Sequence, residues 1–397
     1  MSIFNSLGSN YSGKFVWDSI IIPGSKHKVS EIRQKIAKRY QGSVTLTYKG
    51  RQALELALEN SGLAKGSAVG LNGFTCYVLY QAVERAGYQP VLIDIAAGKL
   101  NFGDEELKSA NGNTKKLEAI IVQNTLGMVA DMAALESYCK KHNIMIIEDL
   151  AHSVGAIYAD GREAGTVGQL TMLSFSQDKP LDVVAGGALV DRREDSKNIV
   201  EQPKLRVTPI QREINALYPF WTVLIRGLYP IGLGRYLHFG LKKLHLLATP
   251  MSDNLAGIYT MEPSAARLLL KRWQMEAHEL SHRQTVADIY KKALPSKIQI
   301  KPEPKSRSVY LRFPLLVDDR AALLAYLKSK SIYIGDTWYD APIAPKRYLS
   351  QTNYQEGDCP NAETLAGHIV NLPTHIHVSE QQAQMIAEEV NKWLQLQ

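Results

Sequence analysis

Short apolar runs alternate with helix-length segments between residues 30 and 200, and this alternation constrains the fold more than any other feature of the sequence. The spacing predicts helices over residues 30–40, with Ser30 as N-cap, and over residues 52–60. Because strands that alternate with helices form a mostly parallel sheet covered on both faces, we expect an α/β fold with ligands at the carboxyl ends of the strands. The runs typical of buried strands lie at residues 67–71, 90–95, 119–123 and 144–148.

The length of 397 residues exceeds what one small core uses, which predicts two domains. We expect a large domain over residues 1–255 and a small C-terminal α/β domain over residues 256–397. The small domain begins with a long helical pattern after Met261 and ends with a helix near residues 380–394.

The charge balance favours anionic partners. The chain has 46 Lys and Arg residues against 39 Asp and Glu residues, a net charge of +7, which suits phosphates, nucleotides or an acidic membrane face. No basic block is interleaved with aromatic residues, so we expect no nucleic-acid partner. The three widely separated cysteines predict neither a disulfide framework nor a metal site, and the N-terminus lacks the order of a signal peptide. We therefore expect a cytoplasmic protein.

An apolar, aromatic segment at residues 214–247 lies within an insertion at about residues 210–250. Arg226, Pro219 and Pro230 interrupt it, so it is a poor candidate for a membrane-spanning helix. Its basic residues and aromatic rings suit a helix that lies on a membrane surface, here the inner face of the membrane. A dimer-interface or lid insertion with buried aromatic side chains is the alternative.

The sequence IIEDLAHS, residues 146–153, places Asp149 directly after a buried strand. A carboxylate at that position can hold the positive charge of a protonated ring nitrogen, as pyridoxal phosphate (PLP) chemistry requires. An ordinary strand-end Asp that caps the next helix is the alternative.

A second stretch, LSFSQDKPLDVVAGGALV at residues 173–190, contains Ser174 and Lys179 five positions apart. A desolvated lysine beside an apolar strand can form an imine with an aldehyde, and a serine hydroxyl can donate to a phosphate. The double glycine at 186–187 lets the backbone approach closely before the next strand.

The ordered set of Asp149, His152, Ser174, Lys179 and the double glycine resembles the DegT/DnrJ/StrS-type sugar aminotransferase family. The resemblance continues upstream and into the tail, and it covers roughly residues 40–195 and 355–395. The matching segments are KGRQALELAL (49–58), GFTCYVLYQAVERAGYQPVLIDI (73–95), NTLGMVADMAAL (124–135) and CPNAETLAGHIVNLPTHIHVSEQQ (359–382).

The resemblance implies a fold-type-I PLP transferase with a mostly parallel seven-stranded sheet in the large domain. It implies that Lys179 holds PLP as a Schiff base and shuttles the proton, that Asp149 pairs with the pyridinium nitrogen, and that His152 lies beside the ring. Ser174 and the backbone at Gly50 and Arg51 would hold the phosphate at a helix N-terminus. It also implies a homodimer.

Four positions depart from the family pattern. Arg51 replaces a small hydroxyl residue and could pair with the phosphate by charge. Cys76 stands where an aromatic residue stacks on the ring, so either Cys76 or the adjacent Tyr77 faces the cofactor, with Tyr77 preferred. Asn124 replaces a histidine, and Asn254 is near, but out of register with, an asparagine supplied by the neighbouring subunit.

Lys179 favours transamination over dehydration, because dehydrating family members typically carry histidine there. The resemblance implies amination of a keto group on a nucleotide-diphosphate-linked sugar in polysaccharide biosynthesis, with glutamate as amino donor. The alternatives are a catalytically silent regulatory protein of this fold and an aminotransferase for a lipid-linked ketone presented at the membrane. A PLP-dependent decarboxylase, racemase or acyl-condensing enzyme fits the tail segment less well.

Overall fold

The computed structural model describes residues 2–21, 24–113, 116–194, 201–248, 257–335 and 339–397. Its strands are β1 (Ile3–Phe4), β2 (Ser43–Thr47), β3 (Ala68–Asn72), β4 (Thr75–Cys76), β5 (Gln89–Ile93), β6 (Leu117–Val122), β7 (Met145–Asp149), β8 (Leu170–Ser174), β9 (Gly187–Asp191), β10 (Arg312–Leu316), β11 (Ile332–Tyr333), β12 (Ile343–Ala344) and β13 (Ile369–Pro373). Its α-helices are α1 (Gly13–Ile21), α2 (Lys26–Tyr40), α3 (Gly50–Glu59), α4 (Tyr77–Arg85), α5 (Asp104–Asn113), α6 (Met132–His142), α7 (Pro209–Leu228), α8 (Leu233–Lys243), α9 (Pro263–Ala293), α10 (Arg320–Ser329), α11 (Pro360–His368) and α12 (Glu380–Gln395).

Seven strands form the central sheet in the order β2-β9-β8-β7-β6-β3-β5. Strand β9 runs antiparallel to both of its neighbours, β2 and β8, and the other pairings are parallel. The expected mostly parallel, seven-stranded sheet is therefore confirmed. The carboxyl ends of β7 and β8 meet at one edge, so their last residues are neighbours.

Alternation along β6 and β7 explains why helices cover both faces of this sheet. Ile120 and Ile146 belong to the core that includes α2, whereas Ile121 and Ile147 belong to the core that includes α3 and α4. Successive residues of a strand point to opposite faces, and apolar residues at every position require burial on both sides.

Helix α2 begins earlier than expected. Ser25, not Ser30, is the N-cap, and its hydroxyl accepts a hydrogen bond from the Lys28 amide. The buried residues Ile32, Ile36 and Tyr40 follow the four-residue spacing of one helix face. The expectation at Ser30 was wrong because the polar residues before it continue the helix on its exposed side.

The smaller C-terminal part packs around a second core. Antiparallel strands β10 and β13 contribute Phe313 and Leu372 to it, and α12 contributes Ile386. The long helix α9 spans the two parts: Leu269 belongs to the core under the large sheet and Tyr290 to the C-terminal core. The domain boundary expected near residue 255 falls within residues 249–256, outside the described residues, as does Asn254.

The segment expected to be an insertion forms two helices, α7 and α8, which pack against each other. Gly234 of α8 is buried close against α7. A Cβ at this position would lie 2.3 Å from the Ile225 carbonyl oxygen of α7. Tyr218 and Ile225 are buried in the core under the large sheet, so α7 is anchored to that domain. Among the described residues, no helix has the length and apolarity needed to span a membrane.

Candidate active site

A cleft lies where the carboxyl ends of β7 and β8 face the small C-terminal part, and its volume is about 980 Å³ when the space open to solvent is included. The large domain lines it with Gly50, Cys76, Asp149, Ser174 and the loop that carries Lys179. These expected site residues therefore converge, although more than one hundred positions separate some of them in sequence, whereas Tyr77 and Asn124 do not line the cleft. Leu311, Arg312 and Tyr339 close the other side.

Lys179 lies in the loop between β8 and β9, and its side-chain amine lines the cleft. Its Nζ lies 3.0 Å from Nε2 of His152. Burial lowers the pKa of Lys179, because removal from water penalises the charged form. A lowered pKa increases the fraction of the lysine in its neutral, nucleophilic form.

Hydrogen bonds from the Lys179 loop converge on the buried carboxylate of Asp182. Oδ2 accepts from the Asp178 amide at 2.9 Å, and Oδ1 accepts from the Val184 amide at 2.9 Å and from the Tyr11 hydroxyl at 2.6 Å. Asp178 has φ +59°, a left-handed conformation in which Asp is tolerated. These bonds fix the turn that presents Lys179.

The contacts of His152 define its tautomer. The Leu126 amide donates to Nδ1 at 3.2 Å, so Nδ1 carries no proton and Nε2 carries the hydrogen in the neutral ring. That hydrogen points at Lys179 Nζ, which accepts it only as a neutral amine. Burial holds the pKa of His152 well below its usual value, so the ring is neutral. The hydrogen-bond geometry at its two nitrogens favours a neutral Lys179 amine beside it.

Asp149 is the last residue of β7 and is 1% exposed. Its Oδ1 accepts the Ala151 amide at 2.7 Å, and burial raises the pKa of its carboxyl to about 6. Because burial destabilises the charged form of this carboxylate, a cation bound beside it in the cleft would be stabilising. The adjacent Glu148 points to the other face of the sheet and serves the fold instead.

Glu148 is fully buried and holds the turn after residue 164. Its carboxylate accepts hydrogen bonds from the amides of Gly165, Val167 and Gly168 at 2.6–2.7 Å and from the Tyr158 hydroxyl at 2.8 Å. Neighbouring acidic residues on one strand thus have separate tasks.

Ser174 and Gly50 form the floor of the cleft at the start of α3. A Cβ on Gly50 would lie 2.5 Å from the Ser174 Cβ, so only glycine allows this approach. The N-cap of α3 is Lys49, which makes no side-chain cap hydrogen bond. Arg51 also lines the cleft. A helix start beside a hydroxyl and a guanidinium is a favourable place for a phosphate.

Two of the expected cofactor contacts lie elsewhere. The Tyr77 ring stacks on Tyr348 at 4.8 Å and its hydroxyl donates to Gln351, whereas Cys76 lines the cleft. Cys76 therefore lines the cleft and the preferred Tyr77 does not, because strand β4 ends at Cys76 and the next residue begins helix α4. Asn124 donates to the Tyr158 hydroxyl and accepts from the Ala130 amide, so its amide is used within the fold.

Further cleft residues were not anticipated from the sequence, namely Gln123, Ser176, Gln177, Asp178, Arg312 and Tyr339. Gln123 follows β6, the strand next to β7, so its position at a strand end was the available signal. Arg312 and Tyr339 come from the C-terminal part, and only the packing of the two parts brings them to the cleft. Tyr339 Oη lies 3.4 Å from His152 Nδ1.

These residues fit PLP group by group. The amine of Lys179 suits the aldehyde, the buried carboxylate of Asp149 suits the ring nitrogen, and the glycine-floored start of α3 suits the phosphate. The match to the phosphate rests on Gly50, because a Cβ at this position would clash with Ser174.

A family model described as the DegT/DnrJ/EryC1/StrS aminotransferase family matches residues 27–391. The chain belongs to this family. The resemblance noted from the motifs is thereby confirmed, and the cofactor of this PLP-dependent aminotransferase is pyridoxal phosphate.

Relatives of this aminotransferase carry several names. It is 24% identical over 383 residues to GDP-perosamine synthase of Escherichia coli O157:H7, covering 95% of this chain and 93% of that protein. It is 23% identical to UDP-2-acetamido-2-deoxy-3-oxo-D-glucuronate aminotransferase of Pseudomonas aeruginosa, covering 88% and 86%. It is 26% identical over 344 residues to a protein of Geobacillus stearothermophilus named pleiotropic regulatory protein, covering 86% and 82%.

Solved structures share the fold of this family member. The aminotransferase PseC of Helicobacter pylori has a TM-score of 0.72 at 16% identity, with all of both chains covered. A DegT DnrJ EryC1 StrS aminotransferase from Brucella abortus has a TM-score of 0.70 at 19% identity, covering 96% of this chain and 95% of that one.

Proposed function

We propose that this aminotransferase converts a keto group on a nucleotide-diphosphate-linked sugar to an amine, with glutamate as donor and PLP held on Lys179. The observation that carries the proposal is the position of the Lys179 amine, whose Nζ lies 3.0 Å from His152 Nε2 and which faces the same cleft as Asp149. The names of the relatives from E. coli and P. aeruginosa, which carry GDP and UDP, support the substrate class.

The bound cofactor supplies an electron sink that stabilises negative charge on the substrate carbon. The residues of the chain do the rest. Lys179 holds and moves a proton at its Nζ, and burial, which lowers the pKa of this amine, makes the proton easier to release. His152 orients that nitrogen through Nε2, and the Leu126 amide keeps His152 in the required tautomer.

Asp149 would keep the ring nitrogen protonated, because its carboxylate is buried and gains by pairing with a cation. Ser174, Arg51 and the start of α3 would hold the phosphate. Cys76, which lines the cleft, stands at the position where the family pattern has an aromatic residue.

Arg312 is the candidate anchor for the carboxylate of the amino donor. It is 4% exposed and lines the cleft opposite Lys179, and its nearest ion-pair contact, to Asp178 Oδ1, is long at 3.8 Å. A planar guanidinium suits a carboxylate by two parallel hydrogen bonds. We further propose a cytoplasmic homodimer, as the family resemblance implies.

Absorbance spectroscopy of the PLP-loaded protein tests the first half of the reaction. We expect glutamate to bleach the visible band of the wild-type protein, and Lys179→Ala to lack the lysine-bound band. The resulting pyridoxamine form is then offered a panel of nucleotide-diphosphate keto-sugars, and we expect at least one to restore the band.

A second candidate function is regulation without turnover, which the name of the G. stearothermophilus relative favours. A well-folded protein whose band responds to no amino donor would support this candidate and would contradict the proposed transamination. A band that glutamate bleaches but no nucleotide-linked ketone restores would overturn the substrate class alone.

A further inference from the structure

Residues 231–246, which comprise α8 and its flanks, expose an unusual number of large apolar side chains. Tyr236 is 78% exposed and Phe239 is 69% exposed. We refer to the following set as the α8 face: Ile231, Leu233, Tyr236, Phe239, Leu244 and Leu246. Several exposed apolar residues this close together mark an interaction site more often than isolated ones do.

The packing of α8 explains why these side chains face solvent. Gly234 and Leu241 are the buried residues of the helix, and Gly234 touches the backbone of α7. At about 100° per residue, Tyr236 and Phe239 lie about 140° and about 160° around the helix from Leu241. Leu233 lies about 80° from Leu241, at the edge of the buried side, and is 54% exposed. The exposed apolar residues therefore do not form the side of α8 that packs on the core, because Gly234 and Leu241 form that side.

The charged residues in this stretch of the sequence are all of one sign. From residue 214 to residue 252 the sequence contains no Asp or Glu, and it contains Arg226, Arg235, Lys242 and Lys243. The last three lie on α8 and are exposed. Such a surface complements an anionic partner.

We propose that the α8 face docks onto the surface of an anionic phospholipid bilayer. Aromatic and aliphatic side chains enter the headgroup region while basic side chains pair with lipid phosphates. A second copy fits the face less well, because a two-fold contact there would bring Arg235 and Lys243 of one copy against those of the other.

The docked orientation would bring the reaction cleft to the bilayer. The side chain of Gln177, two residues before Lys179, donates to the Ala248 carbonyl just after α8 at 3.1 Å. A groove beside the cleft is lined by His238 and Lys242 of α8 as well as by Gln177 and Asp178. A membrane contact would thus place this groove next to the lipid headgroups.

Flotation of the full chain with vesicles tests the proposal. One vesicle contains phosphatidylcholine alone and the other contains phosphatidylcholine with phosphatidylglycerol. We expect the wild-type chain to float with the second and to be released by salt. Replacing Arg235 and Lys243 with Gln should lower the partition coefficient roughly 30-fold, and replacing Leu233, Tyr236 and Phe239 with Ser should lower it at least about tenfold.

The matched control replaces Met385 and Leu396, exposed apolar residues of the C-terminal part, with Ser and should leave flotation unchanged. Flotation needs no turnover, so its result is independent of the proposed reaction. The proposal is overturned if the wild-type chain does not float, if the α8 variants float as well as the control, or if they change the oligomeric state instead. Capture of the chain by an acidic protein without any lipid binding would also overturn it.

Discussion

Replacing Asp149 with Asn should make the apoprotein more stable while it weakens the enzyme. Burial raises the pKa of this carboxyl from 3.8 to about 6, so the folded apoprotein pays for ionising it above that pH. This rise in the pKa of the carboxyl corresponds to about 3 kcal/mol. The side-chain oxygen of Asn can still accept the hydrogen bond from the Ala151 amide, but Asn carries no negative charge. The sign follows from the raised pKa: the stability of the wild-type apoprotein is fully present below pH 3.8 and declines as the pH rises through about 6.

Urea unfolding of both apoproteins across this pH range measures the effect, because the difference between variant and wild type isolates the single carboxyl. We expect no difference near pH 3.8 and a variant more stable by up to about 3 kcal/mol above pH 6. With PLP bound, the order should reverse, since the variant loses the partner of the ring nitrogen. A difference that is flat with pH, or a less stable variant apoprotein at neutral pH, would refute the reasoning.

Three further substitutions test other parts of the site. Gly50→Ala should weaken PLP binding by about 1–3 kcal/mol because its Cβ meets Ser174, and a cofactor titration unchanged from wild type would contradict this. Arg312→Gln should lower kcat/KM for glutamate by about 10- to 100-fold, with the reaction of the pyridoxamine form unaffected, whereas an equal loss in both half-reactions would argue against a donor anchor. Glu148→Gln should destabilise the protein by about 3 kcal/mol, as measured by urea unfolding. The substitution replaces one acceptor oxygen with an NH₂ group, which cannot accept the hydrogen bonds that backbone amides donate. A loss under about 1 kcal/mol would show that these hydrogen bonds contribute little to stability.

Much of the large sheet could be predicted from the sequence. The runs that became β3, β6 and β7 are apolar at nearly every position, a pattern typical of strands buried on both faces. Asp149 and Ser174 could be placed at strand ends for the same reason. The start of α2 could not be fixed, because Ser25 and Ser30 are both competent caps and three of the four residues between them are polar.

The side-chain directions after strand ends were harder to predict. Cys76 and Tyr77 are adjacent, and one turn of backbone decides which of them faces the cleft. Asn124 follows the same strand as Gln123, but its left-handed backbone, φ +51°, turns it into contact with Tyr158. Arg312 and Tyr339 had no local signal, because long-range packing of the C-terminal part places them. Positions set by strand periodicity were accessible from sequence, and positions set by turns or by the association of the two parts were not.

Borohydride reduction of the PLP-loaded protein, followed by peptide mapping, tests the central claim most directly. We predict one reduced adduct, on the peptide that contains Lys179, and its loss in Lys179→Ala. Lys49 also lines the cleft and provides an internal comparison. An adduct on Lys49 or any other lysine, or a folded protein that shows no chromophore with excess PLP, would contradict the account.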